Sequence, residues 1–194
     1  MGNEFTDYNG RPVIVAFGDS LTAGVGVDPA FNYPSRLQVK IDEAGYRYRV
    51  VNAGISGETT ARGLDRVQTM REFDPEIAIV ELGANDGLRQ LPIDEMGRNL
   101  SGIVREFKQM GAAVIIAGME IPPGNDPRYA ESFRETFRNI AAEHRIPLIP
   151  FFLEGVGGRP RFNQEDGIHP NADGYAIIVE NIWPVLEPCL ARCT

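Results

Sequence analysis

A serine, a histidine and an aspartate occupy positions where they could act together as a nucleophilic site. Ser20 follows a short apolar run, and Asp166 precedes His169 by three residues near the end of the chain. A serine hydroxyl is a poor nucleophile until a base takes its proton, and a neutral imidazole is the usual base. A carboxylate then holds the imidazole in one tautomer and stabilises the imidazolium. These residue types fit nucleophilic acyl transfer, although Ser20 and Asp166 could simply cap helices and His169 could lie in a solvated turn.

Two glycine-containing loops carry groups that could stabilise a negatively charged oxygen. Gly57 lies in the loop Gly54-Ile55-Ser56-Gly57-Glu58-Thr59, and Asn85 lies in Gly83-Ala84-Asn85-Asp86-Gly87. Acyl transfer develops an oxyanion, which needs preorganised N–H donors. The Gly57 backbone, the Asn85 side chain and the Ser20 backbone near a helix N-terminus could supply them. Each loop could equally be a tight turn in which Gly and Asn tolerate positive φ.

The other polar residues indicate less. His144 lies near the end of a predicted helix, where the negative helix terminus favours a histidine without any chemical role. If Glu58 is only a loop charge, its replacement should have a small effect. With two histidines in the chain, zinc sites built on several histidines are nearly excluded. The segment Gly24-Val25-Gly26 begins like a dinucleotide-binding loop, but Pro29 stands where the third glycine is needed.

Strand and helix patterns alternate along the chain. Short apolar runs that stop at glycine or at a loop predict five buried strands: Val13–Phe17, Arg47–Asn52, Ile77–Leu82, Val114–Ala117 and Leu148–Phe152. Segments with helical patterning predict five helices: Tyr33–Ala44, Thr60–Glu72, Ile93–Met110, Arg128–His144 and Asn171–Leu190. Five βα units predict an α/β fold with an open parallel sheet covered on both faces. Ligands bind outside the carboxyl ends of such strands, where the four candidate loops are expected to meet.

The composition argues against several classes of function. The 194 residues carry a formal net charge of −8, which argues against nucleic-acid binding because phosphate contacts need an excess of Lys and Arg. The longest apolar runs, Val13–Phe17 and Ala112–Ala117, are far shorter than the roughly 20 residues of a membrane span. No stable membrane insertion is therefore expected. Met1–Pro12 is interpreted as a polar N-terminal extension, and residues 13–194 are predicted to form one domain.

The four motifs together resemble those of the SGNH hydrolases, the GDSL family of esterases and lipases. The family blocks occur in order at Ile14–Gly24, Asn52–Gly57, Glu81–Gly87 and Asp166–Asn171. The resemblance implies a flavodoxin-like three-layer αβα sandwich with a five-stranded parallel sheet, and it implies no metal and no cofactor. In this family Ser20 would be the nucleophile, His169 the base and Asp166 its partner. The Ser20 and Gly57 backbone N–H groups and the Asn85 amide would form the oxyanion hole.

Within this family the chain is most similar to a small bacterial branch of multifunctional esterases. The extended matches are Ser56–Thr59, Asn85–Arg89 and Ile146–Leu153. Members of that branch act as acyl-CoA thioesterases, arylesterases and lysophospholipases, so the resemblance implies a serine hydrolase of small carboxylic esters. Many are periplasmic or secreted. We expect that location if a signal peptide is missing from this form, and a cytoplasmic one otherwise; the oligomeric state is left open.

The loops expected around the site also predict the size of the substrate. Ala23–Phe31, Leu88–Pro92 and Ile121–Tyr129 are short and mix apolar with small residues. Such a lining suits a short acyl chain or an aryl ring, although the same side chains could equally serve to seal the core. Because the loops are short, no large lid is expected. Two other functions stay open at this point. A carbohydrate acetylesterase uses the same triad on this fold, and a non-catalytic binding module would have the fold without the chemistry.

Overall fold

The computed structural model describes residues 10–122, 124 and 126–191. Five parallel strands form one sheet in the order β2-β1-β3-β4-β5. Their bounds are β1 Val13–Gly18, β2 Arg49–Gly54, β3 Pro75–Glu81, β4 Ala113–Ala117 and β5 Leu148–Ile149. The predicted five-stranded parallel sheet is therefore confirmed. The prediction was wrong at the end of β5, which stops at Ile149, because the next residue is Pro150 and proline has no N–H to continue the ladder.

All five predicted helices are present, and two short ones are added. The helices are α1 Ser20–Ala23, α2 Tyr33–Glu43, α3 Thr60–Arg66, α4 Ala84–Leu88, α5 Ile93–Gln109, α6 Pro127–His144 and α7 Ala172–Leu190. Short 3₁₀ segments cover Pro29–Phe31, Val67–Phe73 and Pro160–Phe162. The predicted helix Thr60–Glu72 thus changes type at Val67. There the Thr69 hydroxyl donates to the Arg66 carbonyl, a local bond that competes with regular helical bonding.

Helices cover both faces of the sheet. Helices α2 and α7 pack against each other on one face, while α5 packs between α3 and α6 on the other. Every residue of β1, an interior strand of the sheet, is buried, which fits its position between two helical layers. One side of α5 is apolar and buried, and Phe107 on that side meets Phe17 of β1 edge to face at 5.3 Å. No helix in the described residues is long and apolar enough to cross a membrane.

The strand register brings three loops to one place. Gly18, the last residue of β1, pairs with Gly54 at the end of β2 and with Glu81 at the end of β3. Glycine is required at Gly18, since a Cβ there would lie 2.1 Å from Oγ1 of Thr22 and 2.5 Å from the Glu81 carbonyl oxygen. The loops that carry Ser20, Gly57 and Asn85 therefore leave the sheet from neighbouring strand ends. Of the predicted extension Met1–Pro12, residues 1–9 lie outside the described residues.

Candidate active site

Ser20 lies at the sharp turn between β1 and α1. Asp19, not Ser20, is the N-cap of this helix, because its Oδ1 accepts the backbone N–H of Leu21 at 3.0 Å. The interpretation of Ser20 as a simple helix cap is therefore wrong. Ser20 is the first helical residue and is 9% exposed. This position leaves its hydroxyl free to act outside the helix and directs its backbone N–H away from the helical hydrogen bonds.

The structure brings Ser20, His169 and Asp166 together across 149 residues of sequence. Ser20 Oγ lies 3.0 Å from Nε2 of His169, and Nδ1 of the same ring lies 2.6 Å from Oδ2 of Asp166. The other Asp166 oxygen accepts the backbone N–H groups of Ile168 and His169 at 2.9 and 3.0 Å. The hydrogen bond from the His169 ring, with these two backbone bonds, lowers the pKa of Asp166 to about 2. Asp166 therefore stays ionised throughout the neutral range.

A residue outside the predicted set ties the histidine loop to the serine side of the site. The Gln164 backbone N–H donates to the His169 carbonyl at 2.8 Å. Its side-chain amide donates to the Val25 carbonyl at 2.7 Å and to the Pro170 carbonyl at 2.9 Å. Val25 lies just beyond α1, the helix that begins at Ser20. No residue type or spacing in the sequence marks Gln164 for this task.

The three predicted oxyanion donors follow β1, β2 and β3, but they are not equally available. In the described part of the chain, no acceptor binds the backbone N–H of Ser20 or of Gly57. Gly57 has φ 76°, a conformation that favours glycine. The Asn85 amide is already engaged, since its Nδ2 donates to Oδ2 of Asp19 at 3.0 Å and to the Glu58 carbonyl at 3.1 Å. To donate to an oxyanion, Asn85 must share or exchange one of these bonds.

Glu58 lies in the loop after β2, but its side chain is buried and is not a solvent-exposed charge. It is 6% exposed, and its carboxylate accepts two bonds from Arg66, Nε at 2.7 Å and Nη2 at 2.6 Å. The expectation of a small effect on replacement depended on an exposed side chain, so it no longer holds. A neighbouring carboxylate is also buried: Asp86 accepts the backbone N–H and the hydroxyl of Thr60 at 2.9 and 2.6 Å. Sequence reasoning missed both contacts, because Asp and Glu are usually exposed.

Two buried carboxyl groups lie directly behind Ser20. Asp19 and Glu81 are both fully buried, and the Thr22 hydroxyl donates to Glu81 at 2.7 Å. Burial raises the pKa of Asp19 to about 6, against the opposing effect of its bonds from Leu21 and Asn85. Burial, together with the nearby Asp19, raises the pKa of Glu81 well above its ordinary value. With a pKa of about 6, Asp19 is mostly ionised at neutral pH.

Apolar side chains flank the site at its mouth. Ile55 precedes Gly57 by two residues, Leu88 follows Asn85 by three, and Ile168 directly precedes His169; all three are about half exposed. The other histidine lies elsewhere. His144 is the last residue of α6, as its sequence context predicted, and its Nε2 lies 2.6 Å from Oγ of Ser101 on α5.

Residues 16–177 match the model of the GDSL-like Lipase/Acylhydrolase family. The chain belongs to this family. It is 40% identical over 186 residues to Esterase TesA of Pseudomonas aeruginosa, which covers 95% of this chain and 92% of that protein. It is 34% identical over 176 residues to Thioesterase 1/protease 1/lysophospholipase L1 of Escherichia coli K12, covering 90% of this chain and 83% of that protein. This GDSL hydrolase is therefore a carboxylic-ester hydrolase.

The fold agrees with this membership. The crystal structure of a protein named TesA superposes with a TM-score of 0.89 at 40% identity, covering 91% of this chain and 99% of that one. The predicted SGNH hydrolase fold is confirmed.

Proposed function

We propose that this hydrolase cleaves small carboxylic esters through an acyl-enzyme on Ser20, with His169 as base and Asp166 as its partner. The observation that supports this most is the continuous chain of contacts from Ser20 Oγ to His169 Nε2 at 3.0 Å and from His169 Nδ1 to Asp166 at 2.6 Å. A histidine bound in this way presents a lone pair to the hydroxyl, because its other nitrogen carries the proton directed at the carboxylate.

The proposed reaction has two halves. Ser20 Oγ attacks the ester carbonyl carbon while Nε2 of His169 takes the hydroxyl proton. The resulting oxyanion accepts the N–H groups of Ser20 and Gly57 and one N–H that Asn85 shares with it. Collapse breaks the bond to the alcohol, which leaves with the proton from His169. Water then attacks the acyl-enzyme with the same base, and the carboxylic acid leaves as Ser20 recovers its proton.

The substrates proposed are aryl esters and short-chain acyl esters, with acyl thioesters and lysophospholipids as further members of the range. Ile55, Leu88 and Ile168 offer apolar contacts at the mouth for an acyl chain or an aryl ring. The E. coli relative is named for thioesterase and lysophospholipase activities. The localisation stays a prediction: periplasmic or secreted if a signal peptide is missing from this form, and cytoplasmic otherwise. The single-domain boundaries, the absence of nucleic-acid binding and the absence of a cofactor also stay predictions.

Pre-steady-state kinetics with p-nitrophenyl acetate and butyrate test this function. We expect a burst of nitrophenolate equal to the enzyme concentration where deacylation is slow, and an acyl adduct on Ser20 by mass spectrometry. Ser20→Ala should abolish both. Ser101→Ala is the matched control, since it removes a serine hydroxyl on α5 that contacts the other histidine, His144, and it should retain full turnover. Turnover that persists in Ser20→Ala would exclude the proposed nucleophile.

A parallel series defines the substrate class. The p-nitrophenyl ester of butyrate should be hydrolysed faster than that of palmitate if the acyl site is short. Faster hydrolysis of the palmitate ester would contradict that prediction. Butyryl-CoA, a lysophospholipid and peracetylated sugars belong in the same series. Acetate release from the sugars with no cleavage of the other substrates would support the carbohydrate acetylesterase alternative instead. A parent protein inactive on every substrate would support the non-catalytic module.

A further inference from the structure

The Arg66–Glu58 ion pair lies beneath the loop that carries Gly57. The Glu58 side chain is 4% exposed and that of Arg66 is 17% exposed. The two guanidinium nitrogens and the two carboxylate oxygens form parallel hydrogen bonds of 2.7 and 2.6 Å. Such a bidentate contact fixes orientation as well as distance. The guanidinium also lies 4.0 Å from the centre of the Phe17 ring, which limits its remaining freedom.

The same two residues contact all three segments that carry the proposed oxyanion donors. Nη2 of Arg66 donates to the Ala53 carbonyl at 2.8 Å, at the end of β2, and to the Gly18 carbonyl at 3.4 Å, at the end of β1. The Glu58 carbonyl oxygen accepts from Nδ2 of Asn85 at 3.1 Å, at the start of α4 after β3. Gly18 precedes Ser20 by two residues, and Glu58 directly follows Gly57. The pair therefore joins the serine turn, the loop that carries Gly57 and the start of α4 through hydrogen bonds of 2.8 to 3.4 Å.

Stability alone is a poor explanation for this pair. Burying two charges costs desolvation energy that their attraction does not always repay, and apolar residues of similar volume often stabilise a fold as well or better. An oxyanion hole, however, depends on the placement of its donors, and an error of about 1 Å can cost roughly 10²-fold in rate. A planar bidentate guanidinium suits that requirement, whereas a lysine ammonium cannot reproduce the paired bonds.

We propose that Arg66 and Glu58 are positioning residues for the oxyanion hole: they hold the Gly57 peptide and the Asn85 amide in register with Ser20. Neither residue touches the substrate. This inference rests on the proposed function. Its signature is a loss of transition-state stabilisation with little change in ground-state binding, since the pair acts only through donors that face the developing oxyanion.

Arg66→Gln and Glu58→Gln test the inference, with Arg11→Gln as the matched control. Arg11 forms a 2.9 Å ion pair with Asp42, but both side chains are well exposed. We expect kcat for p-nitrophenyl butyrate to fall about 10- to 100-fold in Arg66→Gln and less in Glu58→Gln, with KM changed less than about 3-fold. The control should retain the parent value. Binding of butylboronic acid, which forms an anionic tetrahedral adduct with the serine, should weaken by a factor similar to the loss in kcat.

A double-mutant cycle separates positioning from general structural damage. In the Asn85→Ala background, Arg66→Gln should cost at least about 3-fold less than in the parent, because one of the donors that it positions is already absent. Equal losses in both backgrounds, or a change in KM alone, would overturn the inference. If Arg66→Gln does not fold, the isosteric Glu58→Gln carries the same cycle. A parent protein without acyl-enzyme turnover would defeat the proposed function, whereas full activity in folded Arg66→Gln would defeat only this inference.

Discussion

The described residues contain two serine–histidine pairs, and the shorter contact is not the one in the proposed site. Oγ of Ser101 lies 2.6 Å from Nε2 of His144, whereas Oγ of Ser20 lies 3.0 Å from Nε2 of His169. The two serines are almost equally buried, at 7% and 9% exposed. Ser101 also lines a surface hollow of about 470 Å³ between α5 and α6. Distance, burial and access therefore do not distinguish the two pairs.

The surroundings of the pairs distinguish them. Nδ1 of His169 contacts Asp166, whereas the carboxylate beside His144, that of Glu143, lies 3.8 Å from Nε2, the nitrogen that already faces Ser101. Ser101 lies in the interior of the 17-residue helix α5, so its N–H is used in a helical hydrogen bond. A Ser–His contact becomes a plausible acyl-transfer site only when a carboxylate orients the opposite ring nitrogen and backbone donors surround the hydroxyl.

Replacing each histidine is the most direct way to break this comparison. His169→Ala should lower kcat/KM for p-nitrophenyl butyrate by about 10³-fold or more, because Ser20 then has no base. His144→Ala should change it less than about 2-fold. Comparable losses in the two variants, measured on protein of equal folded fraction, would contradict the assignment of His169.

Replacing the neighbouring carboxylates tests the orienting group. Asp166→Asn should lower kcat about 10²-fold or more, since an amide can donate to Nδ1 and stabilise the wrong tautomer. Glu143→Gln should leave kcat unchanged, as its carboxylate does not face the free nitrogen of His144. Steady-state measurement of kcat for both variants tests the role of Asp166. An Asp166→Asn enzyme with the kcat of the parent would show that the carboxylate is not needed.

The contributions of Asp19 and His144 to folding stability should change with pH in opposite directions. Burial raises the pKa of Asp19 to about 6, so the stability associated with its proton is present below about pH 4 and is lost as pH rises to about 6. That loss is on the order of 3 kcal/mol, because each unit of pKa difference corresponds to about 1.4 kcal/mol. Burial lowers the pKa of His144, with Lys108 and Arg105 adding to it against Glu143. Its contribution is therefore present above the unfolded pKa of about 6.5 and is lost as pH falls.

Urea unfolding of the parent, Asp19→Asn and His144→Gln between pH 4 and 8 measures both effects. The stability of the parent relative to Asp19→Asn should fall as pH rises from about 4 to 6. Its stability relative to His144→Gln should fall as pH drops below about 6.5. If the free energy of unfolding changes with pH in the same way in the parent and in a variant, the residue replaced in that variant does not supply the expected pH dependence.

The smallest expected effect is a loss of folding stability that leaves ester hydrolysis unchanged. Ser101→Ala removes the hydroxyl that contacts His144 and also accepts from Arg105 at 3.3 Å. We expect a loss of about 1 kcal/mol in the free energy of unfolding, because buried partners lose a hydrogen bond. Ester hydrolysis should be unchanged. A loss of activity in this variant, with the fold intact, would mean that the α5–α6 region communicates with the site.

Much of the fold could be predicted from local patterns. The alternation of apolar runs with helical periodicity predicts five strands and five helices, since burial on one face imposes a period on the residues themselves. Helices α1 and α4 span only four and five residues, which is too short to show a period. The change from α-helix to 3₁₀-helix at Val67 is not predicted either, because both helix types bury residues at similar spacing.

The residue types of the site could be predicted from the sequence, but the buried contacts that hold these residues in place could not. Ser20 and Asn85 lie in the short helices α1 and α4, and the other candidate residues, Gly57, Asp166 and His169, lie in loops. The strand pattern places these candidate residues at one edge of the predicted sheet, so their proximity could be expected. The Glu58–Arg66 pair could not, because charged residues are usually exposed and nothing in their spacing indicates burial. The contact of Asn85 with Asp19 joins residues 66 positions apart, and it changes the expectation that the amide is free to donate.

The sequence by itself determined the order of strands and helices along the chain, the parallel sheet and the residue types at the carboxyl ends of its strands. Those features follow from hydrophobic periodicity and from the chemistry of single side chains, both of which are local. Only the tertiary structure decided which serine has a histidine backed by a carboxylate on its other nitrogen, and which acids are buried behind it. Such pairings depend on strand register and on packing between residues far apart in the chain, and each is set by a distance that no local pattern encodes.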